Sequence, residues 1–246
     1  MAAAIAHNIN NHLTVVQLNL GLLQEELPPG SASSLDLTQA LQSARAAAGI
    51  ASEMLTFLGE TRTTGEPLDL SEVCREGLLQ LQTGRPNLGA LEMNLPSPGP
   101  VVRADANQLQ LVLGKLLTNA LEASDGMSED IRLSVKVVSA TEIPAAGRFP
   151  TGWRPDDRDY ACLEVADSGS GISPEEFREL FEPFFSTKFT GRGLGLPVVL
   201  GIVRELGGGI TVTSQPGEGS VFRIFLPPVS ETAAQAEAPA PPGKAR

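Results

Sequence analysis

Apolar residues recur at alternating steps of four and three along the first stretch of the chain: Ala2, Ala6, Ile9, Leu13, Val16, Leu20, Leu23 and Leu27. That spacing is a heptad seam and predicts a helix with one apolar stripe. Pro28, Pro29 and Gly30 end it. A second seam, Leu37, Leu41, Ala44, Ala48, Ala51, Leu55 and Leu58, keeps the same alternation until Thr63, Thr64 and Gly65. Residues 1–64 are therefore expected to form an antiparallel helical hairpin. Ile50, Met54 and Phe57 flank the second seam, and two helices cannot cover all of that surface. Two chains pairing into a four-helix bundle would cover it, so a homodimer is expected. The alternative is a hairpin packed on its own globular domain.

From Glu66 the pattern mixes helix and strand. Leu70 to Leu81 reads as a helix with Ser71 as a possible cap, Pro100 to Ala104 as a short strand, and Asn107 to Ser124 as an amphipathic helix. Ile131 to Val138 alternates like a half-buried strand, and so does the run ending at Asp167. Between them Ala140 to Asp159, with Pro, Gly and Asp, looks like a long hairpin connection. Two further strands, Ile210 to Ser214 and Ser220 to Leu226, are joined through Pro216-Gly217. The fold class is thus α+β, with the helical hairpin followed by an α/β sandwich over residues 66–228. The Ala/Pro/Glu-rich tail, 229–246, is expected to be disordered.

Composition narrows the function. No apolar run approaches the roughly 18 residues of a membrane span, and the N-terminus lacks the basic region and apolar core of a secretory signal. A cytoplasmic protein without a membrane span is the expectation. With 29 acidic against 18 basic residues, the net charge of −11 argues against a nucleic-acid binder. Cys74 and Cys162 show no metal-ligand spacing and read as small buried hydrophobes.

The densest candidate chemistry lies in Asp167 to Leu196, DSGSGISPEEFRELFEPFFSTKFTGRGLGL. Asp167 closes a strand, where its carboxylate can accept a hydrogen bond from an exocyclic amine. Gly169 and Gly171 let backbone approach a flat ring. Gly191, Gly193 and Gly195 precede an apolar helix whose first N–H groups could receive phosphate, and Pro197 suits its first turn. A single Gly-x-Gly is more often a turn; the order and spacing of both clusters are more specific.

At these residues the chain resembles the catalytic ATP-binding domain of sensor histidine kinases, within the gyrase, Hsp90, histidine kinase and MutL superfamily. DSGSGI resembles its adenine-binding box, FEPFFSTK its phenylalanine box, and GRGLGL its phosphate-binding glycine box. The resemblance implies nucleotide contacts from Asp167, Gly169, Gly171 and Ile172, from Gly193, Leu194, Gly195 and Leu196, and from Lys188 and Arg192 flanking a short lid. Ser220 matches a hydroxyl residue that helps fix adenine. In LQLVLGKLLTNALEAS, similar to the family's N-box, Asn119 matches the ligand of Mg2+.

The resemblance also covers IAHNINNHLTVV, where His7 matches the phosphorylated histidine and Asn11 the residue that orients water when a receiver aspartate is dephosphorylated. His12 falls on another helix face. Two departures stand out. Asn8 replaces the acid that follows the acceptor and would take its proton, and Lys115 stands where another Asn is common. The implied function is a two-component kinase core that uses ATP and Mg2+ to phosphorylate His7 and passes the phosphoryl group to a response-regulator receiver domain. The departures imply the alternative: a weak kinase serving mainly as response-regulator phosphatase, or as an ATP-binding phosphotransfer scaffold.

Overall fold

The computed structural model of the chain describes residues 2–26, 33–34, 36–41, 44, 47–48, 51, 65–84, 91–124, 131–186 and 193–229, with backbone alone at 2–8, 10, 25–26 and 82–84. It divides into two compact units, one of Met1–Arg62 with Leu180–Ile202, the other of Thr63–Glu179 with Val203–Arg246.

In the first unit, helix α1 runs over Ala2–Glu26. Residues 36–41 are also helical, and Leu37, Leu41, Ala44 and Ala51 of the second seam are buried. Gln17 Nε2 donates to the Ala44 carbonyl at 3.1 Å, tying α1 to that stretch. Along α1 the seam is uneven. Leu13 and Leu20 are half-buried, whereas Ile9, Val16 and Leu23, one heptad apart, are exposed by 46%, 44% and 49%. Leu55, Leu58 and the 27–32 connection lie outside the described residues.

The second unit is built on a six-stranded sheet of order β2-β4-β6-β8-β7-β5. Its strands are β2 (Glu92–Asn94), β4 (Ile131–Ser139), β5 (Arg148–Phe149), β6 (Asp159–Asp167), β7 (Gly209–Gln215) and β8 (Gly219–Leu226). All neighbours are antiparallel except β2 and β4. Strands β1 (Glu66–Asp69) and β3 (Val101–Ala104) pair separately, and the amide of Val229 donates to the Val101 carbonyl at 2.8 Å. The rest of the expected tail, 230–246, lies outside the described residues.

Helices α2 (Leu70–Gly84) and α3 (Ala106–Ala123) pack on one another, and α3 lies over β6 and β8. It buries Leu109, Val112, Leu113, Leu116, Leu117, Ala120 and Leu121. Opposite it the sheet offers rows of paired apolar residues, Leu133 beside Val165 beside Phe222 and Val135 beside Leu163 beside Ile224. The period-two alternation makes this possible, since it puts those side chains on one face. Asp105 caps α3, accepting from Asn107 N at 2.8 Å and Gln108 N at 3.2 Å. The cap of α2 differs from the sequence expectation. Asp69 accepts from the amides of Ser71 and Glu72 at 2.8 and 3.1 Å, and Ser71 is buried inside the helix. Asp is as good an N-cap as Ser, and the cap lies two residues earlier, directly before Leu70 where the helix begins.

The opposite face of the sheet is mixed. At one end Ile143, Tyr160, Cys162 and Phe225 form a small core with Trp153 against it. Next to it the polar row is held by charge: Arg223 Nε donates to Glu164 Oε2 at 2.6 Å, and Lys136 approaches the same oxygen at 3.4 Å. Burial alone would raise the Glu164 pKa; the hydrogen bond and charge of Arg223, helped by Lys136, outweigh it and hold the carboxyl below its ordinary value. A carboxyl lowered in the folded state stabilises the fold above its unfolded pKa, and that contribution disappears as pH falls through the folded pKa. Glu164→Gln is therefore expected to flatten the acid side of the stability profile in the range below the ordinary glutamate value of 4.5, by at most about 1 kcal/mol for a partly exposed network. Urea midpoints of both proteins across that range check this; identical acid slopes would show the network to be inert. Burial pushes both thiols, Cys74 and Cys162, up to about 12, as befits core residues.

Candidate functional site

At one corner of the second unit the apolar face of the sheet ends in a polar row. Ile131, Asp167, Ser220 and Ser214 are successive register partners on β4, β6, β8 and β7. Cross-strand partners point to the same side, so the Asp167 carboxylate and the Ser220 hydroxyl lie side by side on the face that α3 covers. Both are buried, 9% and 4% exposed. A charged group with so little water needs fixed partners. One is the backbone amide of Gly169, which donates to Asp167 Oδ1 at 3.0 Å.

The loop after Asp167 is locked through its own backbone. The amide of Ser170 donates to the Ala123 carbonyl at 3.0 Å, satisfying one of the orphan acceptors at the end of α3. The carbonyl of Ser170 accepts from Gly217 N at 2.8 Å, in the turn between β7 and β8. Ile172 N donates to Ser214 Oγ at 2.9 Å, and Ser214 Oγ donates to the Gly219 carbonyl at 2.8 Å. Because a hydroxyl has one proton, the 3.0 Å contact between Ser214 and Ser220 must use the Ser220 proton. Ser214 is thus the hub that fixes the loop, the turn and Ser220 together. Sequence reasoning missed it, although it sits two residues before the Pro216-Gly217 turn on the same face as Val212.

Glycines permit the close approach. Gly171 has φ of 68°, and a methyl group there would overlap the carbonyl of Gln215; at Gly169 it would overlap the carbonyl of Ala123. Gly171→Ala is expected to lower stability by about 2 kcal/mol or more, since strain in the left-handed region adds to a backbone clash. Gly217→Ala is the matched control: its φ is 79° but its surroundings are open, so only about 1 kcal/mol is expected. Equal losses in thermal or urea unfolding would remove the packing argument.

Asn119 lies on α3 one turn before Ala123, half-buried, with Lys115 a further turn back and also half-buried. Residues four apart share a helix face. The corner therefore offers a buried carboxylate, a hydroxyl, half-buried glycine backbone and a helical amide: acceptors and donors for a flat, amine-bearing ring.

Residues 104–230 match the family described as histidine kinase-, DNA gyrase B- and HSP90-like ATPase. The chain belongs to this ATPase family. Among curated proteins it is 32% identical over 244 residues to the sensor kinase CckA of Brucella abortus, covering 97% of this chain and 25% of that protein. It is 29% identical over 232 residues to the sensor histidine kinase ZraS of Salmonella typhimurium, covering 94% and 46%. The chain thus spans between a quarter and a half of these relatives. The structure titled as full-length ShkA in complex with AMPPNP shares the fold, with a TM-score of 0.64 at 21% identity over 93% of this chain and 45% of that one.

Other residues singled out in the sequence of this ATPase-family member belong to the first unit. There Gly193, with φ of 62°, accepts a hydrogen bond on its carbonyl from Phe184 N at 2.9 Å, and a methyl on Gly193 would overlap Phe184 and Phe185 backbone. The phenylalanine box and the glycine box are thus joined at their bases. Leu194 is buried, and Gly195 and Leu196 open helix α5 (Gly195–Glu205). Lys188 and Arg192 lie outside the described residues. His7 lies on α1, where it and Asn8 are described by backbone alone; Asn11 and His12 are exposed. No helix among the described residues is long and apolar enough to cross a membrane.

Proposed function

We propose that this chain is the transmitter core of a two-component histidine kinase. The observation that carries the reading is the buried Asp167, held beside Ser220 and fixed by Gly169 N at the mouth of a glycine-lined corner, in a chain of this ATPase family. Asp167 accepts from the adenine amine, Gly169, Gly171 and Ile172 border the ring, and Ser220 supports it. By motif, Gly193 to Leu196 with Lys188 and Arg192 receive the phosphates.

Among the described residues no group of three or more His, Cys, Asp or Glu could hold a metal ion. Magnesium is commonly held by few protein ligands together with phosphate oxygens. Asn119 would hold it through Oδ1, and the ion would neutralise phosphate charge when bound.

A nitrogen of the His7 imidazole forms a bond to the γ-phosphorus as the bond to the bridging oxygen of ADP breaks. The receiver aspartate then takes the phosphoryl group, and Asn11 orients water for its later hydrolysis. Homodimerisation through α1 is supported by the exposed heptad positions Ile9, Val16 and Leu23. Asn8 favours the second reading, a slow kinase acting mainly as phosphatase or scaffold, because an amide cannot take the imidazole proton. General-base help is worth about 10² to 10⁴ in rate. Incubation with γ-labelled ATP and magnesium tests both. An acid-labile, base-stable label supports the kinase, and a faster initial rate in Asn8→Asp supports the slow-kinase form. No label in either protein leaves the phosphatase or the scaffold, which dephosphorylation of a phosphorylated receiver domain tells apart.

A further inference from the structure

Adjacent antiparallel strands close with two to five residues, yet residues 140–158 separate β4 from β6. This segment builds a wall of its own at the margin of the sheet. Arg148 and Phe149 add β5 beside β7, and Trp153 occupies the space a side chain at Gly209 would fill. Trp153 is stacked on Phe225 with ring centroids 6.0 Å apart and stands edge-on to Tyr160 at 5.9 Å. Helix α4 (Pro174–Glu179) brings Phe177 to within 5.7 Å of Phe149. Among these lies a cavity of about 320 Å³ whose lining includes Phe149, Trp153, Phe177, Thr151, Arg148 and Arg154.

The charges of this lining are one-sided. Arg148 is fixed by donating from Nε to the Pro144 carbonyl at 2.6 Å and from Nη2 to the Ile143 carbonyl at 2.7 Å. Those bonds use only part of its five donors. Among the described residues neither Arg148 nor Arg154 has a carboxylate partner, and no acidic residue lines the cavity. In a chain with 29 acidic residues, two arginines left without carboxylates beside an aromatic-lined cavity are arranged for an anion from outside. Ligand cavities begin at about 300 Å³, so this one is large enough for a single substituted ring.

We propose that this cavity binds a small aromatic carboxylate. The ring packs against Phe149, Trp153 and Phe177, and the carboxylate accepts hydrogen bonds from Arg148 and Arg154. The cavity shares no residue with the Asp167 corner, so this would be a second, separate ligand site.

Trp153 is the only tryptophan of the chain, so its fluorescence reports on the cavity directly. Titration of the full chain with benzoate is expected to give a saturable change with a midpoint on the order of 1 mM or below. Benzyl alcohol and benzylamine at the same concentrations should give none. Arg154→Ala should raise the benzoate midpoint about tenfold or more, and Arg154→Glu should abolish the response; ADP binding by the same samples shows that each variant is folded. No saturable change with benzoate overturns the proposal. So does an equal response to benzylamine, or a benzoate midpoint unmoved in both Arg154 variants.

Discussion

Replacing His7 by Gln is expected to abolish phosphoryl labelling from ATP while leaving ADP affinity unchanged. Gln keeps the length and polarity of the helix surface but has no imidazole nitrogen to attack phosphorus. The Asp167 corner is assembled wholly within Thr63–Glu179 and Val203–Arg246, which excludes His7, so the mutation removes the nucleophile and none of those contacts. Acid and base stability of the residual label, with calorimetric titration of ADP, separates the two effects. A label that survives in His7→Gln and vanishes in His12→Gln would move the acceptor to the other histidine.

The second large effect is expected at Asp167→Asn. The two side chains are nearly isosteric, and Asn can still accept from Gly169 N, so the fold should persist with little change in melting temperature. What is lost is a buried negative charge accepting from an amine. Charge-assisted bonds of this kind are worth about 1.5 to 3 kcal/mol, so the dissociation constant for ADP should rise by roughly ten- to a hundred-fold. An unchanged constant in calorimetry would reduce Asp167 to a strand-end cap that merely orders its own loop.

Much of this arrangement was legible in the chain. The heptad positions Leu37, Leu41, Ala44 and Ala51 are buried as their spacing implies, and β4, β6, β7, β8 and α3 lie where alternation and amphipathicity put them, to within a residue or two. Long elements with one buried face carry that information locally. Strands β1, β2 and β5 and helix α4 escaped it because each spans between two and six residues, too few for a period to register. The stretch Ala140 to Asp159 reads only as a long hairpin connection for the same reason. Its order comes from tertiary contacts, Trp153 on Phe225 and Arg148 on two carbonyls, that no local pattern encodes. In the candidate site, Asp167 and the glycines were visible as motif. Ser214 was not, because its importance lies in three partners distant in sequence or brought round by a turn.

The two margins of the large sheet, β2 and β5, are three and two residues long, and each is followed almost at once by proline: Leu95-Pro96 after β2, and Pro150 after β5. Open strand margins are templates for further strands, and short, proline-terminated ones are poor templates. The same insertion that forms the cavity wall thereby supplies one of the two blunt ends. Concentrated solutions of this chain should accordingly resist growth into sheet-extended fibrils.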